Sequence, residues 1–178
     1  MSEKETKSDW VYFSAVGQDS HRFVTDDELD NNPDRPLILG GVSLNGERPL
    51  AGNSDADVVL HALTNALSGI TTKNILGARA DSLCFDDKIT DSRFYLNEAL
   101  QDLADQEAEL IHLSVAIEAK KPHLSIHFAA IRSRLSEWTG LPEASIGLTA
   151  TSGEGLTAFG CGEGIQVFCL VSVRKRGA

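Results

Sequence analysis

Ser54-Asp55-Ala56-Asp57-Val58-Val59-Leu60-His61-Ala62-Leu63-Thr64-Asn65-Ala66-Leu67 is the stretch on which the reading of the fold turns. From Asp55 to Ser68 its apolar residues recur at helical spacing. Val59, Leu63, Ala66 and Leu67 form one stripe, and Val58, His61, Ala62 and Asn65 lie beside it. The preceding run Gly52-Asn53-Ser54-Asp55 consists of helix-capping residues. A helix with one apolar face needs a sheet or another helix to lie on. Working outward, the nearest partner is Trp10 to Val16, which reads as a strand delivering Gly17-Gln18-Asp19-Ser20-His21.

The remaining pattern alternates helices and strands. Thr25 to Pro36 is acidic, carries Asn and Pro, and reads as a surface loop. Leu37 to Leu44 reads as a second strand interrupted by Gly40-Gly41, and residues 69–90, without a clean period, as a loop. Asp91-Ser92 caps a helix to about Ala104, and Leu110 to Glu118 alternates as a strand. Pro122 precedes a helix from about Ile126 to Thr139, with Phe128, Ile131 and Leu135 spaced for burial. Ile146 to Ala150 is a short strand, Gly160 to Gly164 a turn, and Ile165 to Val173 a strongly apolar final strand. Residues 1–9 are charged and polar and read as a disordered tail. The expectation is a single α+β domain over residues 10–178, a two-layer sandwich of a mixed sheet with helices on one face. There are no internal repeats.

Composition narrows the function. The 178 residues suffice for one domain with a sizeable core. A formal net charge of −10 argues against nucleic acid or an anionic membrane as the main partner. An anionic substrate would have to be held by metals, backbone amides and a few local bases. Cys84, Cys161 and Cys169 are an odd, unpaired set, which fits a reducing compartment without a disulfide framework. No apolar signal region and no membrane-spanning run is present, so the expected location is cytoplasmic, or a plastid-like stroma if a transit peptide has been removed.

Several groups carry chemistry. Residues i and i+2 of an extended segment share a side, so Asp19 and His21 can grip one ion, with His61 closing the set from the helix. One carboxylate and two imidazoles suit a zinc-like ion with an open fourth position. Asn53-Ser54, at the start of the His61 helix, reads as a cap and also as a phosphate cradle at a positive helix end; the two are compatible. Thr151-Ser152-Gly153-Glu154 combines small hydroxyls with a carboxylate. It reads either as a Ser/Gly turn or as a site for phosphate oxygens and a hard divalent ion such as Mg²⁺ or Mn²⁺. Ala119-Lys120-Lys121-Pro122-His123 ends a strand, and its lysines read as a solvated turn or as a contact to an anionic ligand. His112, His123 and His127 have no ligand-like arrangement with one another. The Gly153, Gly155, Gly160, Gly162 and Gly164 cluster matches neither a P-loop nor a dinucleotide fingerprint.

Taken in order, these segments resemble the 2-C-methyl-D-erythritol 2,4-cyclodiphosphate synthase family, over about residues 12 to 174. The resemblance rests on Gly17-x-Asp19-x-His21, Ile38-Leu39-Gly40-Gly41-Val42, the Ser54 to Leu67 block, Asp91-Ser92-Arg93, Ala150-Thr151 with Glu154, and Gly162-Glu163-Gly164-Ile165. It implies a lyase that closes a CDP-linked methylerythritol 2-phosphate into a cyclodiphosphate with release of CMP, in non-mevalonate isoprenoid synthesis. It implies a homotrimer with active sites between subunits, a zinc-like ion on Asp19, His21 and His61, and a second ion, Mg²⁺ or Mn²⁺, with Glu154 on the substrate diphosphate. Asn53 and Ser152 are the implied catalytic residues. Implied substrate contacts are Asp19, Ser20 and His21, then Asn53 and Ser54, then Ile75 and Gly77. Ala119, Lys120, Lys121, Pro122, His123, Leu124 and Ser125 correspond to the cytidine turn. Thr151, Ser152, Gly153 and Glu154 correspond to the phosphate segment, with Cys161 beyond it.

The chain departs from the family pattern in places. Asn53 stands where the family has a His, Ile75 where it has an Asp for the polyol, Ser152-Gly153 for a Thr-Thr pair, and Cys161 for an Arg. The loop from Ala80 to Cys84 also lacks the family's Phe-Pro-Asp character. Two other readings stand beside the lyase: a metal-dependent enzyme of the same fold acting on another nucleotide diphosphate, and a non-catalytic trimeric metal- or nucleotide-binding protein.

Overall fold

Strand β1 (Trp10–Arg22) runs antiparallel to the last strand, β6 (Gly164–Arg176), which pairs antiparallel with β4 (Ala108–Glu118); β4 pairs parallel with β5 (Ile146–Thr151). The order β1-β6-β4-β5 is a mixed sheet, as expected. A computed structural model describes residues 9–77 and 90–177. The expected tail lies largely outside these residues, and the Asp9 carbonyl already accepts from Gly177 N at 2.7 Å.

The alternation of β6 explains the layering. Ile165, Val167, Cys169, Val171 and Val173 are buried under helices, and burial pushes the Cys169 thiol pKa up. The alternate residues Phe168 and Leu170 stay exposed on the other face. Helix α2 (Val58–Thr71) lies on β1 and β6, α3 (Ser92–Asp105) packs on α2 and β4, and α4 (Phe128–Thr139) on β5. Val59, Leu63, Ala66 and Leu67, the stripe read from sequence, are all fully buried. So is the less regular Val58-Ala62 side, because α2 is sandwiched between the sheet and α3.

Gly17 sets how closely α2 approaches β1. A Cβ there would sit 2.1 Å from Ala62 O and 2.3 Å from Ala66 N, so only glycine lets the helix backbone rest on the strand.

Several boundaries differ from the sequence reading. β1 does not stop at Val16 but carries residues 17–21 within the strand, because its pairing with β6 continues to Arg22. The supposed second strand is a hairpin, β2 (Leu37–Leu39) and β3 (Val42–Leu44), since Gly40 and Gly41 both take positive φ in a two-residue turn. The acidic loop contains a short helix, α1 (Asp26–Asn31), nucleated by a capping box between Thr25 and Glu28. A four-residue helix, α5 (Ala158–Cys161), precedes the final turn.

The start of α2 also moves. Asp57, not the Gly52–Asp55 run, is the N-cap: its Oδ1 accepts from Val59 N and Leu60 N at 3.1 Å. The same carboxylate accepts from Gly40 N at 2.8 Å and Gly41 N at 2.6 Å, so one fully buried side chain ties the helix start to the β2–β3 turn.

Candidate active site

Asp19 and His21 project from β1 to the side on which α2 lies, and His61 faces them from α2. His61 Nδ1 is 3.0 Å from Asp19 Oδ2, His21 Nε2 is 3.1 Å from the same oxygen, and the two ring nitrogens are 3.4 Å apart. The three ligand atoms lie within 4.8 Å of one another, a cluster that suits a divalent metal. The expected i, i+2 pairing therefore holds, and Gly17, two residues earlier on the same side, brings His61 within reach.

The electrostatics of this corner are those of a partly dried ion pair. Burial pushes the Asp19 carboxyl up, but the hydrogen bonds and charges of His21 and His61 outweigh it and hold the group well below the usual carboxylate range. For His21, burial pulls the other way from the Asp19 hydrogen bond and charge, which prevail and raise its pKa above 6.5.

A further layer orients both rings. His21 Nδ1 donates to the Ala51 carbonyl at 2.7 Å, leaving Nε2 toward the triad. His61 Nε2 is 2.8 Å from Ser92 Oγ, and that hydroxyl in turn bonds the Asp55 carboxylate. Metal-binding imidazoles are commonly oriented by such a bond from the second ring nitrogen, so the residues present fit a bound ion.

The triad opens onto a cleft of about 550 Å³ lined also by Asn53, Ser54, Asn65, Asn74, Gly77 and Tyr95. Asn53 and Ser54 reach this cleft from the loop before α2, not as its cap, because Asp57 already occupies the helix end. Ser54 Oγ accepts from Ala56 N at 3.2 Å, and Arg35 Nη2 donates to the Ser54 carbonyl at 2.8 Å, which fixes the loop. Ile75 is a correction: it is 1 % exposed and packed in the core, so it does not contact a cleft ligand. Its neighbour Asn74 lines the cleft instead. Strand alternation turns the Ser20 side chain to the opposite face of β1 from Asp19 and His21, so Ser20 offers the cleft side only its backbone. Asn65, Asn74 and Tyr95 were missed from sequence; only Asn65, one turn after His61, carried a periodicity signal.

The other implied contacts gather elsewhere. Ala119, Lys120, Pro122, His123, Leu124 and Ser125 line a second cleft of about 210 Å³ with Thr151 and Ser152. Lys121 is exposed beside it, before a cis Pro122. Ser152 Oγ donates to Glu154 at 2.7 Å. Gly153 backs onto Gly160 so closely that a Cβ would meet its Cα at 2.8 Å. Cys161 Sγ donates to Gly155 O at 3.4 Å and lines neither cleft. The two clefts share no residue, and Glu154 stands apart from the Asp19-His21-His61 cluster. The stretch from Ala80 to Cys84 lies outside the described residues.

With this geometry in place, comparison with known proteins is decisive. The YgbB family profile matches residues 13–174. The chain belongs to the YgbB family. Among its relatives, the 2-C-methyl-D-erythritol 2,4-cyclodiphosphate synthase of Chlamydia trachomatis serovar A is 44% identical, with 94% of this chain and 90% of that protein aligned. The Chlamydia caviae enzyme of the same name is 40% identical, over 95% of this chain and 93% of its own length. A solved 2C-methyl-D-erythritol-2,4-cyclodiphosphate synthase in a CDP-bound form superposes with a TM-score of 0.72 at 28% identity, covering 89% of this chain and 98% of that one. The bifunctional IspDF of Campylobacter jejuni gives a TM-score of 0.82 at 27% identity over 94% of this chain. This chain spans only 43% of that longer protein. Within the YgbB family frame, the mixed sheet and single α+β domain agree with the sequence reading.

Proposed function

We propose that this protein is a 2-C-methyl-D-erythritol 2,4-cyclodiphosphate synthase. It converts 4-diphosphocytidyl-2-C-methyl-D-erythritol 2-phosphate to the 2,4-cyclodiphosphate and CMP, in the cytoplasm, as a step of non-mevalonate isoprenoid synthesis. The observation that carries the reading is the Asp19-His21-His61 triangle, open toward a cleft whose other lining residues are uncharged and include the polar Asn53, Ser54, Asn65, Asn74 and Tyr95. An oxygen of the 2-phosphate attacks the β-phosphorus, a new P–O bond closes the ring, and the bond to the bridging oxygen of CMP breaks. Such chemistry asks for positioning and charge neutralisation more than for covalent help.

Asp19, His21 and His61 would hold a zinc-like ion, and Glu154 a Mg²⁺ or Mn²⁺ on the diphosphate. The ions would neutralise charge on the phosphoryl oxygens. Asn53 donates its amide N–H₂ to a phosphate oxygen. Ser54 accepts from Ala56 N through its lone pair, so its own proton is left to donate to the substrate. Asn74 and Asn65 face the polyol in place of the buried Ile75. The 119–125 turn receives the cytidine, and Thr151, Ser152 and Gly153 the phosphates next to it.

The separation of the two clefts within one chain supports a homotrimer in which one subunit's metal corner meets a neighbour's nucleotide turn. The exposed sheet face supports it too: Val16 and Leu170 are paired across β1 and β6 and remain 60% and 40% exposed, beside Phe168 at 47%. The decisive assay is incubation with the CDP-linked substrate and Mg²⁺ or Mn²⁺, following CMP by phosphorus NMR. Its appearance with the cyclodiphosphate supports the reading, and its absence with intact metal sinks it. Light scattering at micromolar concentration should report three chains; a monomer would remove the intersubunit site.

A further inference from the structure

We infer that Ser92 and Asp55 are positioning residues that fix the tautomer and aim of His61. Both lie outside the triad, and the inference rests on the proposed metal site. Ser92 is fully buried at the first position of α3. Its Oγ is 2.8 Å from His61 Nε2 and hydrogen-bonded to Asp55 Oδ1, while its backbone N–H donates to Asp55 Oδ2 at 3.0 Å. A serine hydroxyl has one proton and an ionised carboxylate only accepts. The Ser92 proton therefore goes to Asp55, and the oxygen's lone pair is left to accept from His61 Nε2–H. That assigns a proton to His61 Nε2 whether or not the ring is charged, and leaves Nδ1, 3.0 Å from Asp19, as the nitrogen that would meet an ion. The helix cap is not involved, because Asp91 caps α3 by accepting from Arg93 N. The relay thus joins two segments, the loop before α2 and the start of α3, onto one ring nitrogen. Asp55 N donates to Thr90 O at 2.9 Å, which closes the link through the backbone.

The test uses the full chain with zinc ions as probe. Ser92→Ala keeps the Asp91 cap and removes only the hydroxyl. Chelator competition should show zinc affinity lowered roughly 10–100-fold, the range found for lost outer partners of metal-bound histidines. Nitrogen-15 NMR of the His61 ring should show a slowly exchanging Nε2–H in the parent, with and without zinc, that exchanges quickly in the variant. Asp55→Asn is the second variant, in case Ser92→Ala does not fold. It keeps an acceptor of lower charge, and zinc affinity should fall several-fold. The inference is overturned if the parent carries no proton on Nε2, or if the variants hold zinc within twofold of the parent. Failure of the metal reading looks different: the parent itself then binds no zinc, while the Nε2–H signal still answers the question about Ser92.

Discussion

The corner proposed for the metal and the corner proposed for the nucleotide are built in opposite ways. Asp19, His21 and His61 stand on a long strand and a long helix, partly buried, with the two rings held from behind by the Ala51 carbonyl and the Ser92 hydroxyl. The 119–125 and 151–161 corner is a set of short turns shaped by glycines, with Lys120, Lys121, His123 and Ser125 exposed. Regular elements fix an angle and a distance between ligands; turns fix a contour that a flexible ligand can follow. The first corner should therefore control the rate and the second mainly the grip on the nucleotide.

The strongest way to break this contrast is His61→Ala. It should lose most bound zinc by elemental analysis, and activity should fall by more than the roughly 100-fold that marks the loss of an outer partner. Unchanged metal content would remove the triad assignment. Next comes Asn53→Ala, expected to lower kcat by about two to three orders of magnitude with little change in nucleotide affinity, as for a donor aimed at developing charge. Asn53→His should retain part of the activity. Parent-like turnover in Asn53→Ala would shift the search for a donor to Thr151 and Ser152.

A pH series sharpens the picture of the metal corner. In the metal-free protein His21 keeps a proton to above pH 6.5, because Asp19 favours the charged ring. Zinc has to displace that proton, so affinity should rise with pH and level off once His21 is neutral. Zinc should bind more weakly at pH 6 than at pH 8, with proton release at the lower pH. A pH-independent affinity would contradict the coupling. The smallest effect is expected in the other corner. Lys120 is exposed, and Lys120→Ala should raise KM for the CDP-linked substrate up to about fivefold, the scale of one exposed charge contact, with kcat unchanged. A kcat loss there would blur the division between the corners.

The same contrast decides what was legible in the chain. The α2 stripe and the i, i+2 pair Asp19-His21 are periodic features, so spacing makes them legible, while His61 joins them only through the packing of its helix on β1. Ile75 and Asn74 are neighbours without a period, and only the packed core shows which one turns inward. Asp57 rather than Ser54 caps α2 because a carboxylate there also satisfies the Gly40 and Gly41 amides, a contact across 16 or 17 residues that no local rule contains. In the sequence Asp91-Ser92 reads as a helix cap, and the role of Ser92 behind His61 emerges only with its partner Asp55, 37 residues away.

All three triad residues occur within the first 61 positions, yet β1, which carries two of them, has β6 as its one sheet neighbour among the described residues. A ribosome thus finishes the ligands long before it makes the strand that straightens them: Asp19 waits for Val167, and His21 for Ile165. Closing so distant a pair is slow compared with forming α2, whose bonds are local. An ion at this corner would consequently be captured only at the end of folding, since a nascent chain lacking β6 would have all three proposed ligands but no strand partner to hold two of them in line.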